Sequence, residues 1–185
     1  MVERCGWAKS DLMIGYHDKE WGVPVHDDCV HFEFLILEGA QAGLSWETIL
    51  KRRDGYRKAF SNFDVEKIAG FGENDFKGLL NDSGIIRNKL KIMAAINNAK
   101  AFLKVQEEFG SFDKYLWGFV NGKQVKNNFK SLKEIPAKTE LSDKVSKDLK
   151  KKGFSFVGST IIYSHLQAVG VVNDHLVGCF RREEV

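Results

Sequence analysis

The sequence predicts an all-α fold on three observations. Apolar residues recur at helical spacing through most of the chain, capping residues precede those stretches, and no convincing run alternates as a strand would. Only two prolines occur in 185 residues, so little interrupts the helical patterns. There is no internal repeat and no low-complexity tract.

Taken in order, Asp28 is placed to cap a helix through Glu38, with Phe32, Leu35 and Ile36 on its apolar side. Ser45 caps a second helix, SWETILKRR, with Glu47 in its first turn. Asp64 opens a third around DVEKIAG, and Asn74 a fourth, NDFKGLLND. From Leu90 to Lys104, Ile92, Ile96, Ala99 and Leu103 form an amphipathic stripe. Phe112 to Val120 form another behind a Ser111 cap. Asn121 to Glu140 is polar, irregular and holds Pro136, so it is the longest expected loop. Ser142 then caps a helix through Lys151 with Val145 and Leu149 inward. Gly158 to Val169 give the last, with Ile161, Ile162, His165 and Val169 on one side.

A chain of this length suits one domain or two small lobes, and buries roughly 70% of its unfolded surface. Its apolar fraction is 43% and it carries 14 Phe, ample for a core. Three cysteines, an odd number, argue against a disulfide framework and for a reducing, cytoplasmic setting. No signal-peptide pattern and no membrane-spanning apolar run is present. A net charge of +3 permits a nucleic-acid partner without demanding one. The run KDLKKK, Lys147 to Lys152, reads on composition as a solvated helix face.

Cys5 with His17 and His175 with Cys179 form two pairs at opposite ends of the chain. The last two are four apart, so one helical turn would put both on one face. Two thiolates and two imidazoles make a closed zinc set with no position left for water, a structural rather than a catalytic site. The same residues read equally as scattered core groups, since free cysteine packs as a small hydrophobe. Cys29, the cysteine left over, reads as a buried helix residue.

The segment LLNDSGIIRNKLKI, residues 79–92, predicts a tight turn between helices. Gly84 stands where a left-handed helix end is needed, Arg87 begins the next helix, and backbone amides with Arg87, Lys89 and Lys91 would form an anion site. Helix-hairpin-helix modules grip a DNA phosphate this way, although any αα-hairpin looks similar and Ile86 holds the usual second glycine position. Glu38 closes the run FLILE, beside QAGLSW at 41–46 and Tyr16. It reads as a core or solvent-facing carboxylate, or as the floor of a pocket in which Tyr16 and Trp46 sandwich a flat ligand. Trp7 and Trp21 bracket the same N-terminal segment.

Six blocks in order, ERCGW at 3–7, YHDKEWGVP at 16–24, LEGAQAGLSW at 37–46, GIIRNKLKI at 84–92, KKGFSFVGSTI at 151–161 and VNDHLVGC at 172–179, resemble the Tag family of 3-methyladenine DNA glycosylases over almost the whole chain. The resemblance implies a single helix-hairpin-helix glycosylase domain over 1–185, with two helical lobes and the hairpin at about 74–104. One structural Zn2+ on Cys5, His17, His175 and Cys179 would join segments 5–17 and 175–179. It implies hydrolysis of the N-glycosidic bond of 3-methyladenine in double-stranded alkylated DNA, by a monomer with no membrane partner. By matching position, Glu38 binds the flipped base and serves as the catalytic group, while Tyr16, Trp46, Trp7 and Met13 line its pocket. Leu44 would wedge into the vacated duplex, with Gly43 letting its loop approach DNA closely, and the hairpin residues Gly84, Arg87 and Lys89 would meet the DNA backbone. The family commonly carries an aromatic where Met13 stands, which loosens one wall of the expected pocket. Asp113, the nearest candidate for the helix-hairpin-helix aspartate, reads instead as a first-turn acid below Ser111. The rival readings are a zinc-stapled DNA-binding module without catalysis and a zinc hydrolase, the latter disfavoured by the closed ligand set.

Overall fold

A computed structural model of the chain describes residues 3–185. It is mostly helical. In chain order the elements are α1 (Asp11–Lys19), α2 (Asp28–Gln41), α3 (Trp46–Leu50), α4 (Arg53–Ala59), α5 (Val65–Ala69), α6 (Glu73–Asn81), α7 (Lys89–Phe109) and α8 (Phe112–Gly118). After a long loop come α9 (Glu140–Lys151) and α10 (Ser159–Ala168). Two short strands, β1 (Val125–Lys126) and β2 (Val172–Asn173), pair in parallel, with Val125 opposite Val172 and Lys126 opposite Asn173. They tie the loop to the C-terminal segment. No helix among the described residues is long and apolar enough to cross a membrane.

Ser45, Asp64 and Ser111 cap their helices as their positions predict, each accepting from the amide three residues on. Three other starts differ. Asp27 caps α2, and Asp28 becomes the first helical residue, its carboxylate accepting from Gln106 and from the Phe112 and Asp113 amides. Gly72, not Asn74, precedes α6, and the Asp75 carboxylate accepts from the Gly72 amide at 2.8 Å. Thr139 caps α9, with Ser142 donating back to its carbonyl. The segment SWETILKRR breaks after Leu50 into α3 and α4.

α2 is buried along most of its length and packs against α3, α7, α8 and α10. α7 presents Ile92, Ala95, Ala99, Phe102 and Val105 to the core, leaving Ile96 and Leu103 half-buried at the edge of the stripe. Phe102 stacks on Phe112 at 4.3 Å between centroids, so the apolar side runs through Phe102 rather than Leu103. In α10 the inward residues are Ile162, His165 and Leu166, while Ile161 is half-buried. Cys29, expected to be buried, lies on the exposed side of α2, its thiol directed at the Asn62 and Phe63 carbonyls.

The turn between α6 and α7 spans residues 82–88. Gly84 does not take a left-handed conformation there, since the positive-φ residues lie elsewhere. Its glycine answers to a close approach instead. A Cβ on Gly55 of α4 would lie 2.3 Å from the Gly84 carbonyl oxygen, so two bare backbones meet. Arg52 donates to the Ser83 carbonyl at 2.7 Å, and the Ile86 amide donates to the Tyr56 hydroxyl at 3.3 Å. The turn is thus clamped to α4. Arg87 stays within it, and Asn88 caps α7 by accepting from the Leu90 and Lys91 amides.

Candidate active site

Glu38 lies one turn before the end of α2 and is only 4% exposed. No charged group faces it. Burial alone pushes its carboxyl up to about 8, so it holds a proton at neutral pH. It borders a cavity of about 370 Å³, a volume in the range of small-molecule sites. Trp7, Met13, Tyr16, Trp21 and Trp46 form the N-terminal walls. α1 is what brings Met13 and Tyr16 to this cavity, one turn apart, held by the Ser10 cap. Burial also raises the Tyr16 phenol well above its ordinary pKa, with the nearby Glu38 charge adding to the effect.

The aromatic arrangement differs from the expected sandwich. Tyr16 and Trp46 lie 5.5 Å apart at an interplanar angle of 53°. A ring inserted between two others needs about 7 Å, twice the carbon contact distance, so no ligand enters between them. They form adjoining walls, with Phe34 stacked behind Trp46 at 6.4 Å. Trp7 sits edge-on to Trp21 at 5.0 Å.

Five further residues complete the walls. Gln41, one helical turn beyond Glu38, shares its face, a signal present in the spacing. Leu132 and Ile135 come from the long loop, where apolar residues in a polar segment were the available sign. Ser164 and Gln167 arrive from α10 with no local signal in the sequence. Asp113 lies elsewhere, bonded to His26 at 2.9 Å and His31 at 3.2 Å.

Beside the cavity, Gly43 takes φ +79, a left-handed conformation that glycine adopts without strain. The space around it is open, so the backbone angle rather than a close neighbour sets the requirement. Leu44 follows with 40% of its surface exposed. Next, Ser45 accepts from the Thr48 amide and starts α3. The loop therefore presents an apolar side chain to solvent from a rigid base.

Cys5, His17, His175 and Cys179 come together, all buried, with one donor atom of each within 4.8 Å of the others. Cys179 Sγ lies 3.4 Å from both His17 Nε2 and His175 Nδ1, and Cys5 Sγ lies 3.7 Å from His175 Nδ1. Tetrahedral zinc with ordinary bond lengths sets sulfur and nitrogen about 3.6 Å apart. His175 and Cys179 meet through a turn closed by the Cys179 amide on the Leu176 carbonyl, not through the expected helical turn. The outer nitrogens are already occupied. His175 Nε2 donates to the Trp21 carbonyl at 2.9 Å, and His17 Nδ1 meets Asp18 at 2.7 Å. Both rings thus keep the inner nitrogen free as a ligand. Burial pushes the Cys5 thiol up to about 12 and His175 down to about 4. The cluster is costly to charge unless a cation joins it, and its residues could hold a metal ion.

At the turn, Arg87 and Lys89 are exposed, whereas the first amides of α7 are taken by Asn88. Positive side chains, more than bare amides, are what this turn offers an anion. Lys91 is not among them, since its ammonium donates to the carbonyls of Ala40 and Ala42. Lys152 is likewise engaged, 2.8 Å from Glu108.

The family model for methyladenine glycosylase matches residues 7–182. The chain is 51% identical over 179 residues to DNA-3-methyladenine glycosylase 1 of Escherichia coli strain K12, covering 96% of each. It is 45% identical over 180 residues to DNA-3-methyladenine glycosylase of Haemophilus influenzae strain Rd, covering 97% of each. A solved structure of 3-methyladenine DNA glycosylase I from Staphylococcus aureus, described for its recognition of 3-methyladenine, superposes with a TM-score of 0.94 at 36% identity, covering 97% of this chain and 96% of that one.

Proposed function

The chain belongs to the methyladenine glycosylase family, and from that premise we propose how its residues excise 3-methyladenine from alkylated DNA. The observation that carries the proposal is a buried, unpaired carboxyl at the wall of an aromatic cavity. The lesion nucleoside is cationic. An isolated cation entering this pocket supplies the partner that Glu38 lacks, so the carboxyl ionises and accepts hydrogen bonds from the edge of the base. Tyr16, Trp46, Trp7 and Met13 enclose the purine as adjoining apolar walls, and the base is first drawn out of the duplex stack. Heterolysis then sends the glycosidic electron pair to the base, which leaves neutral. Water captures the sugar cation and loses a proton. Glu38 acts on recognition first and on the bond-breaking step second, by favouring the conformation in which that charge moves.

Leu44 is the side chain we assign to the space vacated in the duplex, and Gly43 gives its loop the required backbone angle. The 82–88 turn is read as a helix-hairpin-helix grip on double-stranded DNA, with Gly84 seating it against Gly55 of α4 and Arg87 and Lys89 meeting phosphate. The metal is read as zinc, held by Cys5, His17, His175 and Cys179. It would supply a cross-link between the chain's two terminal segments and no chemistry at the base. Pocket, loop and ligand set are each complete within one chain, which supports action as a monomer. Reduced thiols suit a cytoplasmic setting.

Incubation with methylated duplex, followed by chromatography of released bases, tests the reading directly. Free 3-methyladenine and abasic sites are the expected products. Duplex binding without base release would favour a DNA-binding module with no catalytic step. Undamaged duplex is expected to bind weakly, with affinity falling as salt rises by a slope of about −0.9 per neutralised phosphate. Arg87→Ala and Lys89→Ala should each lessen that slope by about one, read from titrations across salt concentrations. An unchanged slope in both would make these residues ordinary solvated charges.

A further inference from the structure

The C-terminal turn of α2 carries both Glu38 and Gln41 and leads directly into the loop of Gly43 and Leu44. That turn holds no basic residue of its own. Its final carbonyls are met from another helix. Lys91 Nζ donates to the Ala40 carbonyl at 2.8 Å and to the Ala42 carbonyl at 2.6 Å. Lys91 sits in the first turn of α7, where a cation opposes that helix's own dipole, yet it lies against the negative end of α2. Burial draws its pKa below the ordinary lysine value, a cost that two charge-assisted bonds offset. Its charge has no part in the raised pKa of Glu38, which burial alone explains.

The far end of the same loop is also tied to the 82–88 turn. Ser45 starts α3, and Arg52, just beyond that helix, donates to the Ser83 carbonyl. The exposed Leu44 therefore lies on a short span whose two ends are both anchored to the segment bearing Arg87 and Lys89.

We propose that Lys91 is a positioning residue that couples the phosphate-facing turn to the Leu44 loop, fixing where the loop stands when the turn engages the backbone. The proposal rests on the reading that Leu44 enters the duplex. Lys91 itself touches neither phosphate nor base. Its part is to make gripping the backbone and entering the stack a single rigid event.

Lys91→Met keeps the aliphatic stem and removes both hydrogen bonds. Single-turnover excision from methylated duplex should fall by about tenfold or more, as expected when a reacting group is displaced by a fraction of an ångström to an ångström. Affinity for free 3-methyladenine and for undamaged duplex should stay within about twofold, the scatter of uncoupled sites. The fluorescence rise of 2-aminopurine placed beside the lesion, which reports unstacking, should shrink, and Lys91→Arg should recover most of the excision rate. Should Lys91→Met fail to fold, Lys91→Gln, which keeps a donor for one carbonyl, carries the same comparison. Wild-type excision by a folded variant overturns the proposal. So does an equal loss of free-base affinity, which would make Lys91 a support of the pocket alone. Leu44→Ala separates the two layers. Wild-type excision by Leu44→Ala removes the underlying reading, and the proposal with it. A slow Leu44→Ala beside a fast Lys91→Met removes only the coupling. If both singles are slow, the double variant should lose little more than the slower one.

Discussion

Glu38→Gln is expected to lose 3-methyladenine binding and excision together while keeping the fold and the metal. The substitution preserves size but removes the acidic proton and places a donor where an acceptor is needed. A buried donor facing the amino group of the base costs about 2–3 kcal/mol in affinity, a loss of roughly thirty- to a hundred-and-fiftyfold. Acidity supplies a second reading. Because the carboxyl titrates near 8 in the empty pocket, affinity for a cationic lesion should rise about tenfold per pH unit below that value and level off above it. Glu38→Gln should be flat over the same range. Stability moves oppositely. A carboxyl whose pKa rises from 4.5 to about 8 on folding gives its full contribution below pH 4.5 and loses it as pH climbs through 8. The wild-type protein should thus soften at alkaline pH, by roughly 4–5 kcal/mol in the limit. Glu38→Gln, which cannot ionise, should out-melt it at pH 9. Full base affinity combined with early melting in the variant would make Glu38 a core group.

Metal loss should lower stability by a comparable amount. One zinc per chain is expected by elemental analysis of thiol-reduced protein. Cys179→Ser or His17→Ala should abolish it, because ligand binding here is folding energy. The Phe102–Phe112 core is built from α7 and α8, away from the cluster, so the expected loss is on the order of 4 kcal/mol rather than the whole of the fold. For a chain of this length that is about 10 °C in Tm. The indole emission of Trp7 and Trp21 should change on chelation. Trp7 lies 5.2 Å from His17, and the Trp21 carbonyl holds His175. A folded, reduced protein with no metal would refute the assignment.

Much of the helical order was legible because local chemistry writes it. Ser45, Asp64 and Ser111 stand alone before apolar runs, and each caps. Asp28 and Ser142 misled for a physical reason. Asp28 adjoins Asp27 and Ser142 follows Thr139 by three residues, so each has a nearby rival, and which one caps depends on where the first helical bond closes. Ser142 even donates to its cap, mimicking the signal it completes. Asn74 misled differently, since Gly72 precedes α6 with no side chain to announce it. In the site, Glu38, Tyr16, Trp46 and Trp7 stand out as a carboxylate among aromatics near the N-terminus, whereas Met13 enters only through the family resemblance; all five line the cavity. Ser164, Gln167, Leu132 and Ile135 do not stand out, since only tertiary packing carries them there. Lys91 looks in the sequence like part of an anion site because its charge is legible there and the two carbonyls it faces are not.

The cluster that joins Cys179 to His17 spans 162 residues of chain. During synthesis the N-terminal segment leaves the ribosome first and must wait for its partners. Trp7, Tyr16 and Trp21 are translated long before Ser164, Gln167 and His175. A nascent chain therefore carries the Gly43–Leu44 loop and the 82–88 turn before it has a finished cavity. Translation halted ahead of Cys179 leaves the last ligand unmade. Cavity wall and cluster alike therefore wait on residues that follow Tyr163, so neither forms early in synthesis.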